Sequence, residues 1–346
     1  MSTHASHLLV SALIALGCGP APAASVDSGT QRTDAATRED ASTPGEDAST
    51  RFDAGDPSPD AGPPVGSMIL ANVAATDIAL AGGHVYFTTD TMIGRVPMGG
   101  GAVETVHTFS TSAPNDIDAD DARIVWTERN ASTIWGAVNS CPLSGCGSMP
   151  TALPHGGESA GGVSVEGDSA YWLSGTLRRV MGAGPGAWSV MSPGLSVADL
   201  ALEGGEVFWL DGGVFTTPGA VYRCSATGGS CTPAMISDAV GAPSVISVHG
   251  DHVVVLSDTG VFHMGRDGSG LMRLADGRRA GATDIVTDGT RVYWAILGEL
   301  YGCEIASCTA ALIDQTTTTN EWSSGLEIDA THLYWGTRAS IRRIEL

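Results

Sequence analysis

Residues 284–294, Asp-Ile-Val-Thr-Asp-Gly-Thr-Arg-Val-Tyr-Trp, state in eleven positions a pattern that the chain repeats seven times. An aliphatic residue opens the unit, an Asp/Gly turn follows, and an aromatic residue normally closes it nine positions after the opening one. The pairs are Ile78/Phe87, Ile117/Trp126, Val163/Trp172, Leu200/Trp209, Ile246/Val255, Ile285/Trp294 and Leu326/Trp335. Alternation of apolar and polar residues before the turn, and a β-branched and aromatic run after it, read as strand, tight turn, strand. A third segment follows (91–98, 176–181, 340–346), then a glycine-rich turn and a fourth segment (103–108, 188–191, 271–274). Successive closing positions lie 37 to 46 residues apart, and four antiparallel strands at that period make a β-propeller blade.

The last repeat stops at Ile344-Glu345-Leu346, before its fourth strand, whereas residues 68–73 have strand character and stand ahead of the first repeat. Pairing the two would seal the ring and cover two open edges. The fold class expected is therefore all-β: a seven-bladed β-propeller over residues 67–346, closed by its N-terminal strand, with Ile69 and Val73 covering the last blade. Abundant glycine, a 16% share of charged residues and the lack of an amphipathic helix agree with many short strands joined by tight turns.

The segments Val85-Tyr86-Phe87-Thr88-Thr89-Asp90, Val292-Tyr293-Trp294 and Leu333-Tyr334-Trp335 resemble the second-strand motif of YWTD-type propellers, with Trp126-Thr127-Glu128 and Val255-Leu256-Ser257-Asp258 as variants. The resemblance covers residues 68–346 and implies the propeller fold. YWTD receptor propellers usually have six blades, so their ligands do not transfer.

Ahead of the repeats, the apolar run 8–16 is too short to span a bilayer and ends in small residues, as an export signal does. Ala15-Leu16-Gly17-Cys18 resembles a bacterial lipoprotein signal, which implies cleavage before Cys18 and its lipidation. Ala15 stands where leucine is usual, and a competing cut for plain secretion follows Ala21-Pro22-Ala23. Residues 19–66, rich in Ala, Asp, Ser, Thr, Pro and Gly with Phe52 as sole aromatic, bury too little to order themselves and read as an acidic tether. The expected address is the bacterial outer membrane or cell surface, with the periplasm or the medium as alternative, and with membrane contact only through the N-terminal lipid.

The net charge is −21 with no lysine in the chain, and nine carboxylates against three arginines place −6 of it between Gly19 and Ser67. The remaining −15 disfavours nucleic acid and anionic lipid as partners.

Six of the seven cysteines fall into the local pairs Cys141/Cys146, Cys224/Cys231 and Cys303/Cys308, each beside the turn between third and fourth strands. Positions facing across such a hairpin approach to disulfide distance, so three hairpin disulfides and an oxidising compartment are expected. Cys18 is left over, as a lipidated cysteine would be.

Several motifs bear on chemistry. Gly157-Glu158-Ser159-Ala160-Gly161 matches the G-x-S-x-G nucleophile elbow, but the strand and turn after it are not the helix that a hydrolase elbow requires. Asp77, Asp116, Asp199 and Asp284 each directly precede an opening aliphatic residue and would recur on one face near the channel. Such a ring would suit calcium or a cationic ligand; alternatively each carboxylate accepts backbone N–H groups between blades. The acidic run 116–121 lacks the glycine and final glutamate of an EF-hand loop. Asn130-Ala131-Ser132 fits a glycosylation sequon, and the nine histidines show no paired metal-binding spacing. Trp322, with Asn320 and Glu321, stands outside the repeat in a polar loop and joins the four aspartates as a candidate ligand face. The reading is a monomeric, non-catalytic scaffold without a cofactor, for a protein or carbohydrate ligand. The alternative is a propeller hydrolase or lactonase with a metal in the channel.

Overall fold

The computed structural model describes residues 66–346 apart from 131–135, 148, 155–159, 175, 182–188, 193–196, 214–217, 227–231, 277–281, 297 and 316–322. Twenty-eight strands form seven four-stranded antiparallel sheets. Blade 1 comprises Asp77–Ala81, His84–Thr88, Met92–Pro97 and Glu104–Thr108, from channel to rim. Blades 2 to 6 follow in chain order over 112–153, 163–192, 197–237, 243–276 and 282–315. Among the described residues the only helical turn is Ile305–Ser307.

In every blade the opening and closing residues are Cα partners across the first hairpin, Ile78 with Phe87 through Leu326 with Trp335. The constant offset of nine is therefore the register of that hairpin. Gly289, at φ 84°, shows why its turn carries glycine.

Blade 7 consists of Ser323–Ile328, His332–Thr337, Ile341–Glu345 and, as its outer strand, Met68–Ala71. The N-terminal strand pairs antiparallel with the C-terminal one, Met68 opposite Arg343 and Ala71 opposite Ile341. Leu70 and Ala71 are buried, while Ile69 is 50% exposed. The expectation that Ile69 covers the blade is thus corrected. Alternation along the strand turns Ile69 outward and gives the covering role to Leu70, with Val73 packed partly against the same cluster.

Packing explains the repeat. The described residues form seven apolar clusters, one at each seam between neighbouring blades, and the opening and closing residues of a blade face the preceding blade. Leu200 and Trp209 of blade 4 meet Tyr171, Leu173 and Leu177 of blade 3; Ile285 and Trp294 of blade 6 meet Val254, Leu256 and Val261 of blade 5. Ile78 and Phe87 meet Tyr334 and Ile341 across the closure. Each fully buried large aliphatic or aromatic side chain contributes about 1.5–3 kcal/mol, so the ring coheres through its seams.

Candidate functional site

The four aspartates are 0–1% exposed. Asp77 accepts the N–H of Ile78 on one oxygen and that of Ile117, in blade 2, on the other, both at 2.9 Å. Asp116 accepts from Val163 of blade 3 at 2.6 Å, and Asp199 from Ile246 of blade 5 at 2.9 Å. Asp284 accepts from Ile285 at 2.7 Å and from Leu326 of blade 7. Each carboxylate thus reaches the opening residue of the next blade and ties two inner strands near the channel. Asp118 repeats the device one pleat further along, accepting from Val165 of blade 3 at 2.7 Å. Charge-assisted bonds of this kind are roughly twice as strong as neutral ones. In blade 7 the equivalent position is Gly325 at φ +67°, where an added Cβ would lie 2.7 Å from the backbone nitrogen of Ile78.

A second tie, which the sequence reading missed, joins second and third strands to the next blade. Tyr86 and Arg95 are Cα partners, and both donate to the carbonyl of Leu143 in blade 2, at 3.1 and 2.8 Å. Tyr171 and Arg179, again partners, both donate to the carbonyl of Ala226 in blade 4, at 3.1 and 2.5 Å. Burial pushes the Tyr171 phenol above its ordinary value although Arg179 draws it down, so it stays a neutral donor. In blade 7, Arg343, the partner of Tyr334, donates to the carbonyl of Met98 in blade 1 at 2.7 Å. The signal was a tyrosine directly before the closing aromatic with an arginine eight or nine positions further on, present in three blades of the seven.

At the opposite end of the blades, in blades 1, 5 and 7, the position two after the closing residue caps the turn into the third strand. Thr89 accepts from Thr91 and Met92, Ser257 from Thr259 and Gly260, and Thr337 from Ala339 and Ser340. Blade 2 departs from this. Its Glu128 collects Trp126 Nε1 at 3.0 Å, Asn139 Nδ2 at 2.6 Å and Ser112 Oγ at 2.8 Å, with His107 tilted against Trp126 and Phe109 edge-on to His107. Between blades 6 and 7 a shallow dent, too small to admit a water molecule, is lined by Glu299, Asp314, Trp335 and Thr337 among others.

Cys141–Cys146 and Cys303–Cys308 are disulfides with Cα atoms 4.8 and 5.0 Å apart. In each, the first cysteine sits on the third strand and the second in the turn ahead of the fourth. Cys224 is disulfide-bonded as well, and its expected partner Cys231 lies outside the described residues. Outside them too lie Cys18, Ser159 of the elbow motif, Ala131 and Ser132 of the sequon, and Asn320, Glu321 and Trp322. The acidic run 116–121 divides its roles: Asp116 and Asp118 tie blades, and Asp120 accepts the N–H groups of Ala122 and Arg123 in the turn, both at 2.9 Å. Among the described residues, no three His, Cys, Asp or Glu side chains are placed to hold a metal ion.

Seven blades, a ring sealed by strands from both ends of the described chain, and polar ties from blade to blade define a seven-bladed β-propeller. No family model and no curated protein matches the sequence. Among solved structures, the chain is similar to virginiamycin B lyase from Staphylococcus aureus, with TM-score 0.62 and 10% identity over 81% of this chain and 98% of that one. It is similar to PorZ, a bacterial surface component of the type-IX secretion system of Porphyromonas gingivalis, with TM-score 0.55 and 14% identity over 80% of this chain and 37% of that one. A chain of the nidogen/laminin complex matches with TM-score 0.52 and 12% identity, over 70% of this chain and 96% of that one. At these identities the likeness is one of fold.

Proposed function

We propose that this propeller is an exported, non-catalytic scaffold, held at the bacterial cell envelope through lipidated Cys18 and the acidic tether 19–66, that presents one face to a protein or carbohydrate ligand. The observation that carries the reading is the use made of the repeated carboxylates. Asp77, Asp116, Asp199 and Asp284 are buried acceptors for backbone N–H groups of the next blade, so the side chains best suited to chemistry near the channel hold the ring rigid. A rigid ring leaves recognition to its loops. Disulfides at Cys141–Cys146 and Cys303–Cys308 support an oxidising compartment. PorZ, of like fold, is a bacterial surface component, and the nidogen/laminin match belongs to a protein complex.

Two measurements test this. Cys18→Ser is expected to move the protein from the membrane fraction to the soluble one; a wild-type protein that is already soluble and begins near Ala24 would refute the anchor. For the ligand, a photo-crosslinking residue in place of Trp322 is compared with one in place of Thr105 on the rim, together with metal analysis of the purified protein. Adducts from position 322 alone, without stoichiometric metal, support the scaffold. A stoichiometric metal that Asp→Asn changes at the channel release would replace it with the metal-dependent hydrolase or lactonase reading.

A further inference from the structure

Among the described residues, six of the seven seams carry at least one of the two polar ties. The aspartate device serves seams 1–2, 2–3, 4–5 and 6–7, and the arginine device serves seams 1–2, 3–4 and 7–1. In blade 5 the corresponding positions read Val245 for the aspartate, Val254 for the tyrosine and His263 for the arginine, since Val254 and His263 are the Cα partners there. The two valines bring no polar group to seam 5–6, and its core is formed by Val245, Val254, Leu256 and Val261 against Ile285 and Trp294.

His263 is only 9% exposed. Its Nε2 lies 2.8 Å from Nδ1 of His252, with ring centroids 5.1 Å apart, and its own Nδ1 is buried with no partner among the described residues. His249, the Cα partner of His252, completes the group. A Cβ on Gly289, in the facing turn of blade 6, would stand 3.2 Å from the His249 ring and 3.4 Å from the His252 ring. The other charges here are also named by the fold. Blade 5 brings Asp251 in the same turn and Arg266, which is 2.9 Å from Glu206 and donates to the Glu203 carbonyl. Blade 6 brings Asp288, which accepts from the N–H groups of Thr290 and Arg291, and Arg291 itself, 4.0 Å from Glu304.

We propose that the seam between blades 5 and 6 is a proton-sensitive joint, at which acidification through the histidine range loosens the two blades before any other seam yields. The neutral pair shares one N–H between Nε2 and Nδ1. A proton on the accepting nitrogen removes that bond, and one on Nδ1 of His263 places a charge in an unsolvated seam. Burial, and next the charge on His252, hold His263 below its ordinary value of 6.5. As pH falls below that value the unfolded chain takes up a proton the folded one refuses, so stability declines until the lower folded value is reached.

The test is hydrogen exchange of the full-length protein at about pH 7.5 and about pH 5.5, corrected for intrinsic rates, comparing segments 252–265 and 285–296 with segment 117–126. About tenfold faster exchange at the first two alone is the expected result. His263→Arg should abolish it. Ile305 holds the turn position equivalent to Met98, Leu143 and Ala226, its N–H bonded back to Thr290 as theirs are to Gly83, Ala122 and Gly205, so the guanidinium finds the carbonyl that blades 1, 3 and 7 use. His252→Gln should reduce the effect, and His84→Gln should leave it unchanged. Uniform acceleration of all seams, or an acid response in His252→Gln as large as in the wild type, overturns the proposal even if His263→Arg does not fold.

Discussion

Asp199 shows how a single side chain acts on the ring. Its carboxylate reaches Ile246, 47 residues on, and accepts that residue's buried N–H. Asp199→Ala should therefore cost about 1–3 kcal/mol, the penalty of a buried donor left unsatisfied, read from the midpoint of urea unfolding. An unchanged midpoint would show that the seam rests on its apolar cluster alone. The position of these aspartates was legible from the repeat, whereas their partners were not. A carboxylate ahead of a strand reads as a backbone acceptor before a cation ligand, but which N–H groups it takes is fixed only when the fold brings the next inner strand alongside. The same distance hid the tie from Tyr171 and Arg179 to Ala226, which spans 47 residues from the arginine. Gly325 works in the opposite sense, since its left-handed backbone lies against Ile78. Gly325→Ala should destabilise the closure seam by at least the roughly 1 kcal/mol that a non-glycine residue in this conformation costs, measured by the same unfolding.

At the scale of the element, the third-to-fourth turn is a structural joint, and its disulfides belong to that role. Leu143, whose carbonyl receives both Tyr86 and Arg95, lies inside the loop closed by Cys141 and Cys146. Removing the bridge as Cys141→Ser with Cys146→Ser should cost about 2 kcal/mol by the chain-entropy argument for short loops. The loss should appear as faster hydrogen exchange in 86–95 of blade 1 as well as in the hairpin itself. Exchange confined to 136–153 would mean that the seam tolerates a mobile acceptor. The pairing was legible from the cysteine spacing because the hairpin fixes which positions approach. The grip on the enclosed carbonyl was not, because it depends on a neighbouring blade. Third and fourth strands were placed to within two residues by the turns that bound them, such as 103–108 against Glu104–Thr108 and 271–274 against Met272–Asp276, and not by periodicity. Outer strands such as Met272–Asp276 and Ala311–Gln315 are exposed or half-buried along their length, so burial imposes no strict alternation on their sequence.

For the whole molecule the decisive question is what keeps a seven-membered ring shut. Met68–Ala71 pairs with Ile341–Glu345 at a separation of about 270 residues, so its closure carries the largest entropy cost in the chain and gains nothing from local hairpin geometry. What offsets that cost is specific. Leu70 and Ala71 enter the cluster shared by blades 7 and 1, Ser67 donates to Asp314 of blade 6 at 2.8 Å, and Arg343 reaches the carbonyl of Met98. The strand also removes the open edge that Ile341–Glu345 would otherwise present to other chains. Deleting residues 1–66 should accordingly leave the melting temperature of the propeller within a degree or two of the full chain, because none of these contacts is touched. Deleting residues 1–71 should lower stability by several kcal/mol, with about 1.5–3 kcal/mol from Leu70 alone, and should expose the C-terminal strand to association at high concentration. Thermal unfolding and light scattering of the two truncations give the comparison. If both melt alike and stay monomeric, the seam between blades 7 and 1 closes through Ile78, Phe87, Tyr334 and Ile341 without the N-terminal strand, and the strand is an edge cover instead of the lock.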